Sequence, residues 1–148
     1  MLLSMTAQAV LNFINTLLAS NLSLGSGNAG FIISLGQNTV SPGSIGGWLN
    51  ATFPGYTPIL TIGGITNGND SLQQQATVTI GPPSGGFRWT ANSGINGTQQ
   101  INSIRLDFSN GTPIATANVF PAQSVTLPND QINIGSIQML ITLPVPPA

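Results

Sequence analysis

The sequence predicts a mainly β fold, an antiparallel β-sandwich or jelly roll with one N-terminal amphipathic helix, in a single domain of 148 residues. Three observations predict it. The apolar spacing changes from a helical period of about 3.6 residues to a strand period of about 2 near residue 29. Turn signals made of Gly, Pro, Asn and Asp then recur roughly every ten residues, the rhythm of short antiparallel strands. Strands and helices do not alternate as a doubly wound sheet requires, and no internal repeat is visible. The expected layout is a helix at about 6–20, a sandwich at about 29–143 and an extended Pro-rich tail at 144–148.

Each element has its own local reason. At about 100° per residue, Ala7, Val10, Leu11, Ile14, Leu17 and Leu18 fall in one arc with Phe13 at its edge, while Gln8, Asn12, Asn15 and Thr16 lie opposite. Thr6 or Ser4 can cap the first turn, and a helix this short needs its apolar arc covered. FIISL at 31–35 is a strand. Residues 36–58 are rich in Gly and Pro and predict irregular loop, with Trp48, Phe53 and Tyr56 spaced along it. QATVTI at 75–80 alternates, with Ala76, Val78 and Ile80 inward. Phe87 and Trp89 flank Arg88 in the same manner. In SIRLDF, Ile104, Leu106 and Phe108 share one face and Ser103, Arg105 and Asp107 the other. Asn110-Gly111 signals a reversal, with IATANVF as the returning hairpin strand. Val125 and Leu127 lead to a turn at Pro128-Asn129-Asp130, and 137–143 form the last strand.

Residues 25–30 read GSGNAG, and Gly25, Gly27 and Gly30 match the letters of the dinucleotide fingerprint. That motif works only between a preceding strand and a following helix, whose N-terminus faces the pyrophosphate. Here a helix precedes and a strand follows, so the glycines are expected to turn the chain into the sheet.

Composition narrows the functional classes. Charged residues make up 3% of the chain, two Arg and three Asp, against about 25% in an ordinary soluble domain. Polarity comes from Asn, Gln, Ser and Thr, which bond without long-range repulsion. Free monomers usually keep charged surfaces to stay dispersed, a need that a subunit of a dense, permanent assembly does not share. Two arginines cannot neutralise a run of phosphates, so no nucleic-acid partner is expected. Anionic lipid is disfavoured likewise, and no apolar run reaches the length of a membrane span. The first twenty residues lack a basic start and their apolar run is broken by Asn12, Asn15 and Thr16, so they are expected to belong to the folded protein rather than to a leader. Five Asn-x-Ser/Thr sequons, at Asn21, Asn50, Asn69, Asn96 and Asn110, follow from the composition.

Catalysis finds little to use. The chain has no His, Cys, Lys or Glu. An activated hydroxyl needs a neighbouring base, and the three carboxylates, Asp70, Asp107 and Asp130, are far apart in sequence. A carboxylate-only hydrolase would need two of them to converge. Asp70 and Asp130 sit in turn-like NGNDS and PNDQ and predict backbone-capping roles. Calcium could use oxygens of NGND, but the EF-hand spacing is missing. No enzyme, no metal and no cofactor is therefore expected. The candidate interface residues are Arg105 and Asp107, two apart on one strand face and expected as an exposed pair, Arg88 as an anchor, and Trp48, Phe53 and Tyr56 as either a private loop core or an exposed aromatic contact.

The helix TAQAVLNFINTLLAS, the Gly/Pro-rich middle and the closing INSIRLDFSNGTPIATANVFPAQSVTLPNDQINIGSIQMLITL resemble small β-rich structural proteins of tailed bacteriophages. The resemblance covers the N-terminal helix and about the last fifty residues. It implies a non-catalytic virion component, foremost a capsid decoration (cement) protein on the outer capsid surface, contacting the major capsid protein or other virion proteins, and commonly a homotrimer. A tail or baseplate subunit is the nearest alternative. A receptor- or carbohydrate-binding module using Trp48, Phe53 and Tyr56 is a further one.

Overall fold

The computed structural model describes residues 30–41, 44–61, 65–70, 75–80 and 86–142; the helix expected at 6–20 and the tail at 144–148 lie outside them. The described chain is mainly β, and every strand pairing in it is antiparallel. In chain order the strands are Phe31–Gly36 (β1), Ile59–Thr61 (β2), Ile65–Asp70 (β3), Gln75–Ile80 (β4), Phe87–Thr90 (β5), Gln99–Phe108 (β6), Pro113–Val125 (β7), Gln131–Ile134 (β8) and Ile137–Thr142 (β9). They form a four-stranded sheet in the order β2-β1-β6-β7, a three-stranded sheet β3-β4-β9, and the pair β5-β8.

Alternation explains the core. Phe31, Ile33 and Leu35 of β1 lie opposite Phe108, Leu106 and Ile104 of β6, and side chains paired across a ladder share a face. The Phe31 and Phe108 rings stack with centroids 6.1 Å apart. Ile80 from β4, Phe87 and Trp89 from β5, and Ile132 from β8 join that face, so all three sheets contribute to one apolar cluster. Each fully buried Phe, Ile or Leu there contributes roughly 1.5–3 kcal/mol from area removed from water. Trp89 joins without stranding its ring nitrogen, because Nε1–H donates to the Thr57 carbonyl at 2.8 Å.

The two strongest turn signals act as expected. Gly111 takes φ of 85°, Asn110 Oδ1 accepts from the Thr112 N–H, and the Gly111 N–H donates to Phe108 O, closing the β6–β7 hairpin. At the other turn Asp130 Oδ2 accepts the N–H groups of Thr126 and Leu127 at 2.8 and 2.7 Å, and Asn129 has φ of 72°.

Several elements differ from expectation. β6 starts at Gln99 rather than Ser103, because Gln99, Gln100 and Ile101 pair with Val125, Ser124 and Gln123. The returning strand expected at IATANVF, 114–120, runs on through Val125 as one strand, β7. Within it the register shifts, so that Val119, Phe120, Pro121 and Ala122 stand opposite Asn102 alone. β2 and β3 carry little apolar alternation and form on ladders offered by β1 and β4. Asp70, expected in a turn, is the last residue of β3, opposite Gln75.

Neutral side chains replace missing ladder bonds in several places. Gln123 sends Nε2–H to the Asn133 carbonyl and accepts the Asn133 N–H on Oε1, joining β7 to β8 as a backbone group would. Gln99 Oε1 takes the N–H groups of Thr52 and Phe53, anchoring the middle loop to the start of β6. Each such bond is worth about 1 kcal/mol net, and leaving a buried partner unpaired costs more.

Candidate interaction surface

β6 carries Ser103, Arg105 and Asp107 on the face opposite Leu106, as alternation requires. That face is not open to solvent. Ser103 Oγ donates to the Asn38 carbonyl at 2.7 Å, Asn102 Nδ2 to Gln37 O at 2.6 Å, and Thr116 Oγ1 to Ser44 O at 3.0 Å. Asn118 makes a reciprocal pair with Val40, accepting its N–H at 2.8 Å and donating to its carbonyl at 2.9 Å. A row of uncharged side chains thus straps the loop after β1 across the sheet.

Arg105 and Asp107 project from that same face. Nε stands 2.8 Å from Oδ1, and the side chains are 22% and 9% exposed. The pair forms, but part-buried rather than exposed, and Thr116, the register partner of Arg105, holds the loop beside it. An ion pair so placed is a matched internal group and offers little charge to a partner. Arg88 differs: it is exposed on β5, flanked by buried Phe87 and Trp89, and its Nε–H donates to Asn133 Oδ1 at 3.1 Å. Of the two arginines it is the one that faces solvent.

The three aromatics of the middle loop take separate positions. Trp48 is half-buried over Gly36, where an added Cβ would sit 2.7 Å from the indole, and its Nε1–H donates to Asn50 Oδ1. Phe53 is 4% exposed, inside the common core, and meets the Tyr56 ring at 5.4 Å between centroids. Tyr56 Oη accepts the Leu35 N–H at 2.9 Å. Burial raises the phenol above its ordinary value, against the opposing hydrogen bonds from the Leu35 N–H and the Ser34 side chain. No platform of three exposed rings exists, because Phe53 packs with Leu35 on one face of β1 while Trp48 packs on the Gly36 face.

Two of the three carboxylates are occupied structurally. Asp107 holds Arg105, and the N–H groups of Leu127 and Thr126 keep the Asp130 carboxyl below the usual carboxylate range. Asp70 stands on a different sheet from Asp107. Among the described residues no group of three or more His, Cys, Asp or Glu side chains comes together.

What the surface offers is apolar. Phe120, at the register break of β7, is 98% exposed, and its peptide bond to Pro121 is cis. Leu127, Leu49, Leu140, Leu60 and Ile45 are also exposed. A cleft of about 210 Å³ opens between the β6–β7 strands and β9, lined by Ile104, Leu106, Ala115, Ala117, Ile137 and Leu140 among others. Sequence reasoning missed these features. The signal for Phe120 was the Pro that follows it: Pro inside a strand marks an edge or a bulge, and so an exposed neighbour. The cleft had no local signal, since β6, β7 and β9 meet only in the fold. Comparisons with protein-family models, with curated proteins and with solved structures find no match to this chain.

Proposed function

We propose that this chain is a non-enzymatic structural protein of a virion, foremost a decoration (cement) protein on the outer capsid of a tailed bacteriophage, and that its three sheets are the layers of a β-sandwich. One observation carries the reading: among the described residues the outward surface carries few charges, Arg88 and Asp130 among them, and is studded with apolar side chains, Phe120 above all, while the other arginine is spent on a part-buried ion pair. Such a surface suits permanent contact by shape and hydrogen bonding with a neighbour such as the major capsid protein. The sandwich is supported by the convergence of Ile33 from the four-stranded sheet, Ile80 from the three-stranded sheet and Trp89 from the two-stranded pair in one core. A homotrimer is the proposed assembly, on the sequence resemblance alone.

The test is the native particle. Co-purification with intact virions and density for this chain on the shell would support the proposal. Density at the tail would move it to a tail or baseplate subunit, and absence from the particle would end it. In solution the isolated protein is expected to self-associate in a manner little changed by salt, because screening has few charges to act on. A monodisperse monomer in sedimentation would count against the assembly role.

A further inference from the structure

The chain contains three Asn-Gly pairs among the described residues: Asn67-Gly68, Asn96-Gly97 and Asn110-Gly111. Each could in principle undergo the same self-modification. The backbone nitrogen of the glycine loses its proton to solvent and attacks the Asn side-chain carbon Cγ. A C–N bond forms, ammonia leaves, and a five-membered imide results. Water then adds to one of the two imide carbonyls and opens the ring to aspartate or isoaspartate. The sum is amide plus water giving carboxylate plus ammonium, with no other reactant. Glycine favours the step because no Cβ shields its nitrogen.

The fold separates the three sites. Asn67 and Gly68 lie within β3, held in register opposite Val78 and Thr77 of β4. At the hairpin both reacting groups are engaged: Asn110 Oδ1 accepts the Thr112 N–H at 2.9 Å, and the Gly111 N–H donates to Phe108 O at 2.8 Å. Asn96 is exposed, and neither its amide nor the Gly97 N–H has a hydrogen-bond partner among the described residues. Gly97 lies in a bend with φ of 83°, and the space a Cβ would fill there is empty within 4 Å. Nucleophile and electrophile are therefore both free at this site.

We propose that Asn96 is a built-in self-modification site, converting to aspartate and isoaspartate by water-dependent imide chemistry while Asn110 and Asn67 are protected by the fold. Each event adds one negative charge to a formal net charge of −1. In a chain with three carboxylate side chains, a fourth alters the surface more than it would in an ordinary protein. The site places that charge just before β6, beside a loop otherwise built from neutral residues.

The experiment incubates the folded protein in warm, mildly alkaline buffer and follows acidic species by ion exchange, with the position read by peptide mapping. The first acidic species is expected to carry the change at Asn96, with isoaspartate present. Asn110, which must first release two hydrogen bonds, is expected to react roughly tenfold or more slowly. Asn96→Gln should remove the leading species. In the denatured chain the three sites should react at similar rates. Conversion of Asn110 or Asn67 ahead of Asn96 in the folded protein would overturn the proposal, as would an inert Asn96 under conditions that modify it in the denatured chain. Mapping of the unsubstituted protein decides the matter even if the variant folds poorly.

Discussion

The two faces of the four-stranded sheet are built on opposite principles. One face, with Phe31, Ile33, Leu35 and Leu106, removes apolar surface from water and merges with the other two sheets. The other, with Ser103, Thr116 and Asn118, binds the backbone of the loop after β1 by directed hydrogen bonds and carries the part-buried Arg105–Asp107 pair. The first stabilises without specifying where a neighbour lies to within a residue. The second contributes less energy but fixes the loop at named atoms. A chain almost without charge therefore keeps a defined polar layer by using amides and hydroxyls, each of which can satisfy a peptide group without the desolvation penalty of an ion.

The contrast can be broken hardest at the apolar face. Phe31→Ala is expected to destabilise by about 3–5 kcal/mol, through lost burial and the cavity left against Phe108, as read by the midpoint shift in denaturant. At the polar face Asn118→Ala should cost about 1–3 kcal/mol, because it strands both backbone groups of buried Val40. Its distinctive sign is local: the Val40 amide should lose hydrogen-exchange protection while the Ile33 amide keeps it. Equal loss at both would mean that the strap and the core unfold as one unit.

The ion pair sharpens the comparison at smaller amplitude. Arg105→Met alone is expected to cost roughly 1–2 kcal/mol, between exposed and buried pairs, because it leaves Asp107 covered and unmatched. Adding Asp107→Leu should recover most of that loss in a double-mutant cycle. Additive losses would show that the two side chains act independently.

The smallest effect is that of pH. Asp130 has a lowered folded value, so its contribution is complete above the ordinary carboxylate value of about 4 and is lost as pH falls through the folded value. Tyr56 has a raised value, so its contribution is complete below about pH 10 and is lost as pH rises through the folded value. Between these limits thermal stability should be nearly flat. A marked change near neutrality, where the chain has no histidine to titrate, would contradict this.

Much of the fold was legible because its signals are local. β4 and β5 follow from alternation over a few residues, and the hairpin at Asn110-Gly111 follows from one dipeptide. The interaction surface was less legible. Arg105 and Asp107 were placed correctly on one strand face, yet that face binds a loop more than sixty residues earlier, which no local window contains. Trp48, Phe53 and Tyr56 looked alike as aromatics in a Gly-rich segment, and only packing sent Phe53 to the core and Trp48 to the Gly36 face.

By itself the sequence determined that the chain is β-rich and antiparallel, where it reverses, and that hardly any of its polarity is ionic. These depend on side-chain period, backbone freedom and composition, properties of neighbours along the chain. Tertiary structure decided that polar ITNGND is a strand, that Phe120 stands out at a register break, and that the polar face of the four-stranded sheet is a binding layer for its own loop. Each of these depends on a partner that the segment's own residues do not name: ITNGND becomes a strand because β4, the next strand, presents its unpaired backbone groups, and the loop after β1 is held by side chains more than sixty residues away.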